Sequence, residues 1–164
     1  MPNHCSQDFR VYGRAADLDR FVARHIRSNT LDCTSVIPYP DKYLLPDLIK
    51  HRYEALKLVK QAWACPDGFN RGGYDWCCTN WGTKWGTYNG HCLSTVSGHR
   101  SYRFDSAWGP PTPVFFAVAK QWPQLTFKIR YFEAGMGFAG YMMFEHGECT
   151  LDERRNNYRG SRGG

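Results

Sequence analysis

Apolar and polar residues alternate from Asp8 to Gly13, with Phe9 and Val11 on one side and Arg10 and Tyr12 on the other. That two-residue period predicts a half-buried strand. The period then lengthens. Leu18, Phe21, Val22, His25 and Ile26 recur at the spacing of a buried helical stripe, which predicts a helix over 15–27. Thr34 to Ile37 reads as a short strand, stopped by Pro38 and Pro40, which cannot continue a central ladder. From Asp47 to Trp63, Leu48, Ile49, Tyr53, Leu56, Val59 and Trp63 form one helical face, with Lys50, Arg52, Glu54, Lys57 and Lys60 on the other and Asp47 as the cap. Residues 65–74 are turn-rich and predict a surface loop. A short helical turn over 75–80 leads to a strand over 83–88, and Asn89-Gly90 marks a tight turn. Strands are predicted over 101–108, 125–133 and 138–146. Between the first two lies a helix over 111–122 whose Val114, Phe115, Val118 and Trp122 point inward. Its leading prolines are tolerated because the first amides of a helix have no partner within it.

The order is strand, helix, helical insertion, two strands, helix, two strands. It predicts an α+β, ferredoxin-like βαββαβ domain over 1–150, an antiparallel sheet with both helices on one face. The helical insertion falls at about 41–80, and an extra strand follows at the C-terminal end. Residues 151–164 read as a flexible basic Arg/Gly tail. The second sheet face is left open to water, to the insertion or to a partner. If Phe9, Val11, Leu125, Phe127, Ile129 and Tyr131 face the helices, Arg10, Tyr12, Lys128, Arg130 and Phe132 share the open face. On 101–108 the same parity puts Tyr102, Phe104 and Trp108 in the core and leaves Arg103 and Asp105 outside.

A chain of 164 residues suits one domain, and 42% hydrophobic with 22% charged residues is a globular balance. No apolar run approaches the roughly 18–20 residues that span a bilayer. The polar start lacks a secretory layout, so a cytoplasmic location is expected. Seven cysteines, an odd number in a domain of this size, predict free thiols rather than a disulfide framework. Of the formal net charge of +6, the arginines 154, 155, 159 and 162 account for +4. The body alone is therefore no strong nucleic-acid signature.

Residues 68–85 place Phe69, Tyr74, Trp76, Trp81 and Trp85 beside Gly68, Gly72, Gly73 and Gly82. Either the loop presents aromatics and backbone amides to a ligand, or the tryptophans cover the end of a small core. No Gly-Lys-Ser/Thr follows, so it is not a phosphate loop. His4-Cys5, Cys77-Cys78 and His91-Cys92 are tight pairs of zinc-type ligands. Adjacent residues cannot both turn to one ion as residues two to four apart can, so no metal is expected. Cys78 with His91, or Asp75 with Glu133, could support nucleophilic or acid–base chemistry, yet neither pair carries a catalytic signature. No cofactor and no enzymatic activity are expected. Basic residues mixed with aromatics on an open sheet are a familiar way to hold single-stranded RNA. Gly137–Phe144, GFAGYMMF, matches the first positions of an RNA-recognition signature. The alternative is a solvated face covered by the insertion.

Five blocks carry a family resemblance: MPNHCS at the start, IPYP at Ile37–Pro40, GYDWCCTNWGTKW at Gly73–Trp85, SAWGPPTPV at Ser106–Val114 and YFEAGMGFAG at Tyr131–Gly140. Together, over 1–148, they resemble the YubB-type ferredoxin-like family of phages and plasmids. The resemblance implies a ferredoxin-like fold and a mobile-element origin, and carries over no catalytic residues. It leads to the expectation of a non-enzymatic accessory protein that binds and inhibits a host defence component, a CRISPR effector complex among the candidates. Its partner would be a host protein or ribonucleoprotein, engaged through Phe69, Tyr74, Trp76 and Trp81 of the loop and Arg10, Arg103, Lys128 and Arg130 of the sheet. Two alternatives stand beside it: direct binding of single-stranded nucleic acid by the open face, and sequestration of a small nucleotide in the Gly-rich loop.

Overall fold

The structure, a computed structural model, describes residues 3–43 and 73–157. Strand β1 (His4–Tyr12) is followed by helix α1 (Ala15–His25), a two-residue ladder of β2 (Ile26–Arg27) with β3 (Thr30–Leu31), and helix α2 (Cys33–Val36). Helix α3 (Gly73–Asn80) precedes β4 (Tyr88–Val96), β5 (His99–Ala107), helix α4 (Thr112–Gln121), β6 (Thr126–Glu133), β7 (Phe138–Glu145) and β8 (Glu148–Arg155). The main sheet runs β4-β5-β1-β6-β7-β8, and every neighbouring pair is antiparallel. The βαββαβ unit is β1, α1, β4, β5, α4 and β6. β7 and β8 extend it by two strands, where the periodicity predicts one.

β1 is central because its alternation is strict. Cys5, Gln7, Phe9 and Val11 are fully buried, while Ser6, Asp8 and Tyr12 are half-buried and Arg10 is exposed. Phe9 lies among Phe21 of α1, Phe115 of α4, Phe104 of β5 and Phe127 of β6, with ring centroids 5.7 to 6.2 Å away. Burying one such side chain stabilises the fold by roughly 1.5–3 kcal/mol. α1 is held over this face by Arg100 of β5, whose guanidinium donates to Asp19 at 2.6 Å. Asp17 on the same helix accepts from Arg14 and Arg20, and these hydrogen bonds hold its carboxyl below its ordinary range.

Several elements depart from the pattern. Residues 34–36 belong to α2, not a strand, and Ile37 is its C-cap, because Asp32 caps the helix by accepting from the Thr34 amide at 3.0 Å. A local cap outweighs the weak strand preference of Thr and Val. Helix α1 stops at His25, since Ser28 and Asn29 take positive φ (48° and 60°) to close the β2–β3 ladder. Residues 83–87 are not extended, and Asn89-Gly90 is no turn but lies inside β4 at a register shift against β5. Gly90 is needed because a Cβ there would sit 2.3 Å from the Ser28 carbonyl oxygen. The β4–β5 turn is Ser97-Gly98, with Gly98 at φ +79°. Trp108, expected in the core, is 42% exposed, because the chain reverses there at φ 69° and leaves the sheet. The flexible basic tail expected over 151–164 is corrected at its start, and 158–164 lie outside the described residues. Leu151 to Arg155 belong to β8, where pairing with β7 satisfies their backbone. The helix expected over 47–63 lies outside the described residues. No helix among the described residues is long and apolar enough to cross a membrane.

Cys5, Cys33 and Cys77 are buried, and burial pushes the Cys5 and Cys33 thiols up to about 12, which leaves them protonated and inert. His25 is fully buried between α1 and α4. Its Nε2 accepts from the Trp122 indole N–H at 2.9 Å, so its Nδ1 carries the proton and donates to Ser35 Oγ at 2.8 Å. Burial lowers its pKa to about 4, with Arg24 adding a smaller push in the same direction. Between pH 6.5 and 4 the unfolded chain therefore binds a proton that the folded chain refuses. Stability should be fully present above pH 6.5 and fall by up to about 3 kcal/mol as the pH drops to 4. Chemical denaturation across this window should show the slope, and His25→Phe should flatten it.

A basic cleft on the open face of the sheet

The register of β1 with its neighbours builds the candidate site. Arg10 lies directly opposite Lys128, and Asp8 lies between Arg130 of β6 and Arg103 of β5. Continuing outward, Arg130 faces Tyr141 of β7, Tyr141 faces Glu153 of β8, and Arg155 lies opposite Ala139. Because side chains alternate along every strand, all of these project from the face away from the helices. A cleft of about 600 Å³ opens among Arg10, Tyr12, Lys128, Arg130, Tyr141 and Arg155, with Asp8 and Glu153 also on its wall.

The charges in this cleft are not equivalent. Arg103 forms a bidentate pair with Asp8, at 2.6 and 3.0 Å, and hydrogen bonding to that carboxylate raises the guanidinium pKa further. Asp8 is thus neutralised from the β5 side. Lys128 lies 5.3 Å from the centre of the Tyr12 ring, whose other neighbour is His99, stacked at 4.9 Å. Arg10, Arg130 and Arg155 have no hydrogen bond or ion pair among the described residues. Arg14, Arg20, Arg100 and Arg103, by contrast, all have carboxylate partners. Like charges placed directly opposite, as Arg10 and Lys128 are, destabilise a sheet. An anion held between them would relieve that repulsion, and arginine offers the forked geometry that phosphate and carboxylate groups fit.

Residues 80–157 match the family model of the ferredoxin-like domain in Api92-like protein. The fold of this part of the chain is ferredoxin-like. The matched segment holds five strands of the sheet and α4, while β1 lies outside it. Among solved structures the chain is similar to the crystal structure of a protein api92 from Yersinia pseudotuberculosis, with a TM-score of 0.60 over 95% of this chain and 99% of that one. At 9% sequence identity this likeness is one of fold. A search of curated proteins finds no match.

In the sheet the four basic residues singled out from the sequence, Arg10, Arg103, Lys128 and Arg130, do share one face. The loop aromatics separate into two groups. Trp81 is buried and donates its indole N–H to the Ile37 carbonyl at 2.9 Å. Trp76 packs edge-on against Trp81 at 5.4 Å and against Tyr39 at 5.5 Å. Trp81 is thus part of the core, and Trp76, half-buried, packs against it. Gly73 opens α3 because a Cβ there would collide with the Tyr39 hydroxyl. Tyr74 is half-buried and lies edge-on to Trp108 at 6.0 Å. Phe69 and the rest of 65–72, where nucleotide sequestration was placed, lie outside the described residues.

Three members of the other candidate pairs have structural roles. Cys5 faces the core while His4 lies on the open face and meets the Tyr88 hydroxyl at 2.8 Å. Glu133 is buried and accepts from the Gly135 and Met136 amides. Among the described residues no three His, Cys, Asp or Glu side chains come together to hold a metal ion. Tyr141 and Arg155 were missed in the sequence, although they fall on the two-residue period once β7 and β8 are registered. Trp81→Ala should cost about 3–5 kcal/mol in urea unfolding, as expected for an aromatic removed from a core and not for one poised at an interface.

Proposed function

We propose that the protein is a non-enzymatic binding protein whose open sheet face holds the phosphate backbone of single-stranded nucleic acid. The observation that carries this reading is that Arg10, Arg130 and Arg155, which have no hydrogen bond or ion pair among the described residues, surround one cleft, while Arg14, Arg20, Arg100 and Arg103 have carboxylate partners. The cleft is open to solvent, with Tyr141 on its wall, which suits a flexible strand better than an enclosed small molecule. The mobile-element setting suggested by the YubB-type motifs is compatible with it. A host defence complex guided by RNA, such as a CRISPR effector, exposes single strands of this chemistry, and binding them would inhibit it.

Phosphate contacts make affinity fall with salt, by about 0.7 log units per contact for a single strand over each tenfold rise in salt. With four cations in the cleft, the affinity for a fluorescent oligonucleotide should show a slope near −3. Arg10→Ala, Lys128→Ala and Arg130→Ala should each flatten it by about 0.7. A salt-insensitive interaction, or wild-type slopes in all three variants, would refute the proposal.

A further inference from the structure

A second surface lies at the other end of the same face. Trp108 follows the last residue of β5, and its amide donates to the Asn3 carbonyl at 2.9 Å. A bulky residue at φ 69° is strained, and such strain persists only where the surroundings hold it. Here it holds the indole out of the core, 42% exposed, beside Tyr74. The Lys84 ammonium lies 4.8 Å from the Trp85 ring centre, 5.4 Å from that of Trp108 and 5.9 Å from that of Tyr74. Trp85 is next to Tyr88 at 6.4 Å, and the Tyr88 hydroxyl meets His4. His4 opens β1 on the same parity as Arg10, so the ridge and the cleft are two ends of one continuous face. The six-residue interval between His4 and Arg10 spans about 20 Å along the strand.

We infer that this ridge of Tyr74, Trp85 and Trp108 around Lys84 takes unpaired bases of the same strand whose phosphates the cleft holds. The inference rests on the proposed nucleic-acid reading and adds to it what selects single strands. Bases in a duplex already stack on their neighbours and cannot offer their faces, whereas an unpaired base can lie on an indole. Lys84 supplies a phosphate contact beside the exposed Trp108 ring and the half-buried Trp85 and Tyr74 rings, and its charge among them matches an anionic strand and repels a basic partner. Trp81 is buried and Trp76 packs against the core, so among the described tryptophans it is Trp108 that stands exposed.

The test compares a fluorescein-labelled twelve-residue oligothymidine, the same strand with abasic sites throughout, and a duplex of equal length, by anisotropy at fixed salt. Trp108→Gly relieves the positive φ and should keep the fold, and Trp85→Ala gives an independent probe of the ridge. Thermal unfolding checks both. Each variant should bind oligothymidine about 10-fold more weakly, with the salt slope unchanged and the abasic strand bound as by wild type. Arg130→Ala should weaken all three ligands. Ridge variants that bind oligothymidine like wild type while Arg130→Ala does not would overturn the inference and leave the cleft standing. Wild-type protein that binds none of the ligands would overturn both.

Discussion

The structure depends on one strand being paired on both edges. β1 lies between β5 and β6 with unbroken antiparallel registers over eight or nine residues. A single-residue slip would turn Phe9 out to solvent and bring Asp8 and Arg10 into an aromatic core. The cluster of Phe9 with Phe21, Phe104, Phe115 and Phe127 therefore fixes more than stability. By fixing the parity of β1 it also decides which side chains of β5, β6, β7 and β8 stand together on the opposite face. Core packing and the candidate site are two consequences of the same alternation.

The open face carries a conflict that a purely structural sheet would avoid. Arg10 opposite Lys128, with Arg130 and Arg155 nearby, gathers positive charge where only Asp8 and Glu153 can answer it, and Asp8 is already engaged by Arg103. Elsewhere Arg100 pairs with Asp19, and Arg14 and Arg20 pair with Asp17. Local rules broken without compensation concentrate at functional sites. Exposure to water keeps the repulsion small in the free protein, and the same solvent access leaves the guanidinium groups available to an anion.

The aromatic residues show how similar sequence can have opposite fates. Trp76, Trp81, Trp85 and Trp108 all stand in glycine-rich or turn-rich surroundings. Trp81 finds an acceptor for its indole N–H in the Ile37 carbonyl and is buried, and Trp76 follows it through contact with Tyr39. Trp108 is held outside by the reversal of the chain after β5 and by its backbone bond to Asn3. What separates them is the partner each ring meets, a tertiary property.

By itself the sequence determined the ferredoxin-like plan, the inward stripes of α1 and α4, and the face shared by Arg10, Arg103, Lys128 and Arg130. These follow from side-chain period, which is local and survives any detail of packing. Only the tertiary structure decided that Asn89-Gly90 serves a bulge instead of a turn, since the close approach of Ser28 is invisible along the chain. It also decided that residues 151–155 complete the sheet, because their strand exists only through pairing with β7. The cleft belongs to the same class. Tyr141 and Arg155 reach it through strand order, and Arg103 is removed from it by Asp8, neither of which any spacing in the sequence encodes.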